Sequence, residues 1–126
     1  TQLVEEVKLA DEIIISAPMY NRTIPSSLKA WIDHIVLPYE TFSVGPHGPS
    51  PLLKGKTLYF ICATGGIYST GNGMQQDFCT PYIKCIMGFM GIQDVRVVYA
   101  EGVAFDREQG IARAKEQIKT VLEVIS

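Results

Sequence analysis

The amino-acid sequence predicts a three-layer α/β/α domain built on a parallel sheet. Short runs rich in β-branched and aromatic residues alternate along the chain with stretches whose apolar residues recur at helical spacing. Two of those runs, Ile13–Ile15 and Leu58–Cys62, show no polar–apolar alternation, which is the pattern of strands covered on both faces. Helical stretches separate successive runs, so the connections read as right-handed crossovers between parallel strands.

Residues 1–10 place Leu3, Val7 and Ala10 on one face and read as the end of a helix. The first strand centres on Ile13–Ile15. Pro25 then suits the first turn of a helix, where its missing N–H would have had no partner. Leu28, Trp31, Ile32 and Ile35 follow at the spacing of one helical face. From Leu37 to Pro51 the chain carries Pro38, Pro46, Pro49 and Pro51 with Gly45 and Gly48. A long, stiffened excursion is expected there, and loops of that length are either functional or disordered. The second strand is Leu58–Cys62. A helix beginning near Thr80-Pro81 is expected to bury Cys85, Ile86 and Phe89 and to fade at Gly88 and Gly91. The third strand runs from Val95 to Ala100 with one charged interruption, Arg96. The last helix begins at Asp106, with Gln109 placed as in a capping box. Its expected stripe is Ile111, Ala114, Ile118, Val121, Leu122 and Ile125.

A chain of 126 residues allows one domain, residues 1–126. Hydrophobic residues make up 47% and charged residues 19%, enough apolar mass for a core that needs no staples. A net charge of −2 leaves no basic excess to neutralise phosphates, which argues against nucleic acid as a partner. The longest apolar run, Leu58–Ala63, is far short of the roughly 20 residues that span a bilayer. No charged-then-apolar signal segment opens the chain. The cysteines Cys62, Cys79 and Cys85 form an odd set without a CxxC pair, and two lie in apolar surroundings, so a reduced, cytoplasmic protein is expected. His34 and His47 have no cysteine or carboxylate at ligand spacing, and no metal site is expected.

Ligands of open α/β sheets bind beyond the carboxyl ends of the strands. Pro18-Met19-Tyr20-Asn21-Arg22, Ala63-Thr64-Gly65-Gly66-Ile67-Tyr68 and Glu101–Phe105 occupy those positions here. The first offers backbone N–H groups to a planar ligand, or is a connecting loop whose Tyr20 packs on the core. In the second, Gly65-Gly66 either lets a ligand approach the backbone closely or forms a tight turn that needs positive φ. Gly71-Asn72-Gly73 lacks the third glycine of a dinucleotide fingerprint and reads as a turn. No phosphate loop and no nucleophile elbow occur. Asp33 and His34 point different ways on one helix and form no dyad. Cys62 reads as inert core. Cys79 sits ahead of a helix that could lower its pKa, although an incidental thiol fits as well. Met74, Met87 and Met90 read as core filling or helix contact.

Taken together, Ala10-Asp11-Glu12, Pro18-Met19-Tyr20-Asn21, Ile24-Pro25, Trp31-Ile32-Asp33, Lys54-Gly55-Lys56, Gly65-Gly66-Ile67-Tyr68, Gly88-Phe89, Gly91-Ile92 and Ala100–Ala104 resemble the FMN-dependent NADH-azoreductase (NADH:quinone oxidoreductase) family. The resemblance covers almost the whole chain in the family's order. It implies a flavodoxin-like, doubly wound parallel sheet acting as a homodimer, with FMN at the carboxyl edge. The flavin would take a hydride from NADH or NADPH and pass electrons to quinones or azo compounds. By match to the family, Pro18, Met19, Tyr20, Asn21 and Arg22 would line one edge of the isoalloxazine ring. Ala63, Thr64, Gly65, Gly66 and Tyr68 would wrap the other, and Phe89 would lie near the partner subunit's flavin. No catalytic acid–base dyad is implied, because the hydride chemistry belongs to the cofactor.

The sequence departs from the family at three side chains. Arg22 stands where an aromatic is common, Thr64 where an arginine is frequent, and Val44 where some members reach toward the partner's site. Arg22 is expected to favour anionic substrates. The three strands match the family's third, fourth and fifth, so an N-terminally truncated sheet is expected, with roughly 60 to 75 residues of the first two strands lying upstream. Two other readings stand beside the enzyme. One is a non-catalytic fragment or interaction module whose Ile13–Ile15 edge pairs with another chain. The other is an FAD-using branch of the same fold.

Overall fold

The computed structural model describes residues 1–123. In chain order the elements are helix α1 (Gln2–Leu9), strand β1 (Glu12–Pro18), helix α2 (Ser26–Ile35), strands β2 (Phe42–Gly45), β3 (Gly48–Pro51) and β4 (Thr57–Ala63), a 3-10 helix (Gly71–Gln76), helix α3 (Thr80–Met90), strand β5 (Asp94–Ala100) and helix α4 (Arg107–Glu123). The strands β1, β4 and β5 form a parallel sheet in that order, and β2 and β3 form a separate antiparallel hairpin.

One face of the sheet presents Ile15, Ala17, Leu58, Phe60 and Cys62, which pack against Val7 of α1, Ile32 and Ile35 of α2, and Ile83, Met87 and Met90 of α3. The opposite face presents Tyr59, Ile61 and Val98 toward Ile118, Val121 and Leu122 of α4. The result is the three-layer arrangement the sequence predicts. The free edge of β5 is closed by a side chain. The Tyr99 N–H donates to Gln117 Oε1 at 2.8 Å, and Gln117 Nε2 donates to the Tyr99 carbonyl at 3.0 Å. That amide takes the place of a further strand at the one position where it matters for edge pairing.

Several expectations change on contact with the structure. The stiffened excursion is in part the β2–β3 hairpin, whose Gly48 holds φ +102° at the turn. Alternation resumes in β1, where Glu12, Ile14, Ser16 and Pro18 are exposed and Ile14 reaches 71%. The helix α4 packs on β5, and no described element covers that side of β1. The strand β4, covered on both faces, reads as expected. Along α1 the fully buried residue is Val4, beside Val7.

The inward stripe of α3 is Thr80, Ile83, Met87 and Met90, with Ile86 partly buried against the core as expected and Cys85 and Phe89 turned out. The carboxylate of Asp77 sets this rotation by accepting the N–H groups of Cys79 and Thr80 at 2.8 and 3.1 Å. Cys85 is therefore exposed, and Phe89 turns outward onto Phe42 with ring centroids 4.8 Å apart. The helix runs through Gly88 and stops at Gly91, in the left-handed conformation that closes a helix. Met74 is exposed, while Met87 and Met90 are core.

Asp106 Oδ1 accepts the Gln109 N–H at 3.1 Å, as the capping pattern predicts. Yet α4 leans on small residues, Gly110 and Ala114, and leaves Ile111, Ile118 and Leu122 exposed. A Cβ at Gly110 would lie 2.5 Å from the Glu101 carbonyl oxygen, so the first turn approaches the end of β5 too closely for any side chain. Ile125 lies outside the described residues. Among them, no helix is long and apolar enough to cross a membrane.

The corrected stripe of α3 has a direct consequence. Ile83→Ala is expected to lower stability by about 2–5 kcal/mol, since it empties a fully buried site. Cys85→Ala should stay within about 0.5 kcal/mol as an exposed change. Urea unfolding of the two variants measures the difference, and equal losses would contradict the assigned rotation.

Candidate functional site

The register of the sheet places Pro18 opposite Ala63, and Ala63 opposite Ala100. All three strands thus finish level, and the segments that follow them leave from one edge.

The first segment is tied down at its root, where the Met19 N–H donates to the Ala63 carbonyl at 2.8 Å. Tyr20 and Thr23 then exchange both backbone hydrogen bonds, at 2.8 and 3.1 Å, around a two-residue turn. Asn21 and Arg22 form that turn with φ of 51° and 71°. Both angles are positive, as in the tight mirror-image turns that usually take Asn and Gly. Asparagine tolerates the conformation; arginine there costs about 1–2 kcal/mol. The turn is held from outside by the Phe78 N–H, which donates to the Arg22 carbonyl, and by the Thr23 hydroxyl, which donates to the Phe78 carbonyl. Tyr20 is 59% exposed, so it does not pack on the core. Among the described residues, nothing accepts from the N–H groups of Asn21 and Arg22.

The second segment is held from the opposite side. The carbonyls of Gly65 and Gly66 accept from Ala104 N–H at 3.2 Å and Gly102 N–H at 2.9 Å, and the Thr64 hydroxyl also donates to Gly66 O at 2.8 Å. A trans peptide points its N–H away from its own carbonyl. The N–H groups of Gly66 and Ile67 therefore point away from the β5 segment. Neither they nor the Gly65 N–H has an acceptor among the described residues. Neither Gly65 nor Gly66 has positive φ, which removes the tight-turn explanation for the pair. Thr64 is buried and serves the loop rather than an open surface.

Beyond Ile67 the loop is fixed by Glu101, the first residue after β5. Its buried carboxylate accepts the Tyr68 N–H at 2.7 Å, the Ser69 N–H at 3.0 Å and the Ser69 hydroxyl. From behind, the 3-10 helix packs so closely that a Cβ at Gly73 would lie 2.1 Å from the Ile67 carbonyl oxygen. Gly66, Ile67, Tyr68, Asn72, Gly73, Gln76 and Phe105 line an open cleft of about 340 Å³, with Phe105 81% exposed at its rim. A larger cleft of about 500 Å³ lies at the other end of the sheet, lined by Lys54, Lys56 and Asp94 among others. One of its two lysines is already used, since Lys56 Nζ donates to the Lys8 and Ala10 carbonyls at 2.8 and 2.5 Å. The carboxyl edge, with its unpaired donors, is the better candidate.

Beneath the edge lies a polar cluster. The Tyr99 hydroxyl lies 2.8 Å from Asp77 Oδ2 and 3.0 Å from Thr80 Oγ1, and burial pushes its pKa up to about 12. Cys62 and Cys79 are both buried free thiols and interact with each other. Their hydrogen bond raises the Cys62 pKa, with burial adding to it, and lowers that of Cys79. Phe89 and Val44 lie apart from the loops, partly exposed on α3 and on the hairpin that Phe42 stacks against it.

The structure therefore brings Pro18, Met19, Ala63, Thr64, Gly65, Gly66 and Tyr68 to one edge, with Tyr20, Asn21 and Arg22 on the adjoining turn. Sequence reasoning missed the anchors. Asp77, two residues ahead of Cys79, carried a visible helix-capping signal; Glu101 acts on residues more than thirty positions earlier, and Gly73 and Gly110 on backbone oxygens brought close by loop folding, and these carried none.

A family model described as a flavodoxin-like fold matches residues 1–122. The chain is 43% identical over 125 residues to a Pseudomonas aeruginosa protein named FMN-dependent NADH:quinone oxidoreductase 3, covering 97% of this chain and 57% of that protein. It is 41% identical over 128 residues to the FMN-dependent NADH:quinone oxidoreductase of Hyphomonas neptunium, covering 99% and 62%. Among solved structures, an FMN-dependent NADH-azoreductase from Bacillus anthracis in complex with FMN superposes with a TM-score of 0.88 at 30% identity, covering 99% of this chain and 61% of that one. The chain thus spans about 60% of the length of the relatives it matches.

The cluster beneath the edge has a testable pH dependence. Tyr99 has its pKa raised from 10.0 to about 12 in the folded protein, so the folded state keeps a proton that the unfolded chain loses. This stabilisation is complete below pH 10 and is lost as pH rises through about 12. Tyr99→Phe should remove that loss and cost about 1–3 kcal/mol at neutral pH, because Asp77 Oδ2 is left without its donor. Unfolding free energies measured at pH 7 and in steps above pH 10 test both parts.

Proposed function

We propose, from the premise that the chain belongs to the flavodoxin-like fold family, that it is part of an FMN-dependent reductase carrying electrons from NADH or NADPH to quinones and azo compounds. The observation that carries this reading is the row of unpaired backbone donors at the carboxyl edge: Asn21 and Arg22 on one segment, Gly65, Gly66 and Ile67 on the next.

Those donors suit FMN. The polar edge of an isoalloxazine ring presents carbonyl oxygens and ring nitrogens, and fixed N–H groups hold such acceptors without reorganising. Pro18, Met19, Tyr20, Asn21 and Arg22 would hold one side of the ring, and Ala63, Thr64, Gly65, Gly66 and Tyr68 the other. When bound, the flavin supplies the two-electron chemistry. The chain's task is position: rigid loops that set the ring at the distance and angle at which a nicotinamide and an acceptor can approach in turn. Exposed Tyr20, Ile67 and Phe105 add apolar surface that excludes water around a flat substrate. No side chain needs to act as acid or base.

The neighbouring surfaces fit a homodimer. Val44 and Phe89 stay partly exposed on stacked elements, and in this reading they border the partner's flavin. A cytoplasmic location is part of this reading, and the three free thiols support it. The relatives' names and greater length also support a functional protein with further residues that extend the sheet beyond β1. Those residues would hold the FMN phosphate.

Full-length protein purified from cells should be yellow, and it should oxidise NADH when a quinone is added. A colourless protein that neither takes up FMN nor reduces quinones would overturn the reading. Residues 1–126 alone should bind FMN weakly; submicromolar affinity would show that the phosphate subsite lies within them. Arg22 faces solvent on the turn and should favour anionic acceptors. Arg22→Phe is expected to lower kcat/KM for sulfonated azo dyes about tenfold while sparing neutral quinones, by the loss of a charge-assisted contact of about 1.5 kcal/mol. Equal losses on both would refute that role.

A further inference from the structure

The Glu101 carboxylate does more than fill a buried position. It accepts three hydrogen bonds, and all come from Tyr68 and Ser69, more than thirty residues earlier in the chain. Its own backbone is fixed twice. Arg113 Nη2 donates to the Glu101 carbonyl at 3.3 Å, and Gly110 brings α4 against the same oxygen. The next residues, Gly102 and Ala104, hold the carbonyls of Gly66 and Gly65. One segment after β5 therefore grips the loop after β4 from Gly65 to Ser69. It consumes the N–H groups of Tyr68 and Ser69 and turns those of Gly66 and Ile67 outward.

We infer that Glu101 is a positioning residue for the flavin: by taking the Tyr68 and Ser69 donors, its carboxylate fixes the loop shape that presents the Gly65, Gly66 and Ile67 N–H groups to the ring. This rests on the reading that FMN binds at the carboxyl edge. The carboxylate meets the two backbone N–H groups on Oε1 and the Ser69 hydroxyl on Oε2. A glutamine can keep the first two on its amide oxygen and donate to the hydroxyl, whereas a leucine offers no acceptor and leaves both N–H groups unpaired. With leucine the loop would open to return those donors to water.

The test uses the full-length protein and Glu101→Leu. FMN affinity is expected to fall about tenfold or more, and the visible bands of the remaining bound flavin should shift, because the donors that polarise the ring have moved. Ser69→Ala provides a milder second variant. It removes one donor but leaves the carboxylate with two backbone partners, and should weaken FMN about threefold with a smaller spectral shift. FMN affinity within twofold and unshifted bands in both variants would overturn the inference. A loss of thermal stability without those flavin effects would also overturn it, since that is what a purely structural role produces. The ligand-free protein gives an independent arm: the amide signals of Gly65, Gly66 and Ile67 should move in Glu101→Leu. Unmoved signals refute the positioning role. If wild-type protein fails to bind FMN, the proposed function fails, and the amide arm alone decides whether Glu101 shapes the loop.

Discussion

The in-step pairing of β1, β4 and β5 is the constraint on which everything else rests. Each strand is seven residues long, and Pro18, Ala63 and Ala100 stand side by side at its end. Because parallel neighbours share a direction, the three segments that follow must emerge together. They then brace one another. Met19 is tied to Ala63, the Gly65–Ser69 loop to the segment after β5, and the Asn21-Arg22 turn to Phe78. A slip of one residue in β1 would reverse its faces and turn Ile15 and Ala17 to the exposed side, so burial protects its register.

The donors at the edge are left free because the carbonyls behind them are occupied. Gly65 and Gly66 turn their oxygens toward Ala104 and Gly102, and peptide planarity then sends the following N–H groups the other way. The glycines are not there for positive φ; a Cβ at Gly65 would touch the Ala104 side chain and one at Gly66 the Tyr68 ring, each at 3.4 Å. Gly73 and Gly110 have a different task, allowing the 3-10 helix and α4 to approach backbone oxygens at distances that exclude a Cβ. Strain at Arg22 fits the same picture. A side chain held at positive φ on a turn is tolerated where surrounding contacts fix the backbone.

Much of this was legible in the sequence. The apolar runs gave three strands, the helical spacing of Leu28, Trp31, Ile32 and Ile35 gave α2, and Asp106 with Gln109 marked the start of α4. The segments after the strands were identified as the site because a parallel sheet places them there. What could not be read depended on packing and pairing that residue spacing does not reveal. The rotation of α3 is set by Asp77 and by the layer it meets, so its apolar residues alone suggested the wrong face. The stripe on α4 was too generous, because Gly110 and Ala114 win the contact by being small. The Leu37–Pro51 segment hid a hairpin, since its prolines and glycines mask strand character until Phe42 and Pro51 are seen to pair. Glu101 looked like an ordinary loop residue until its three donors came into view.

The proposed ligand site is the row of free backbone donors at the carboxyl edge. Its decisive test is to titrate isotopically labelled full-length protein with FMN and follow the backbone amide signals. Asn21, Arg22, Gly65, Gly66 and Ile67 are expected to shift together, while Lys54, Lys56 and Gln93 at the opposite end stay still. Shifts confined to that opposite end, or none along the carboxyl edge at saturating FMN, would rule the site out.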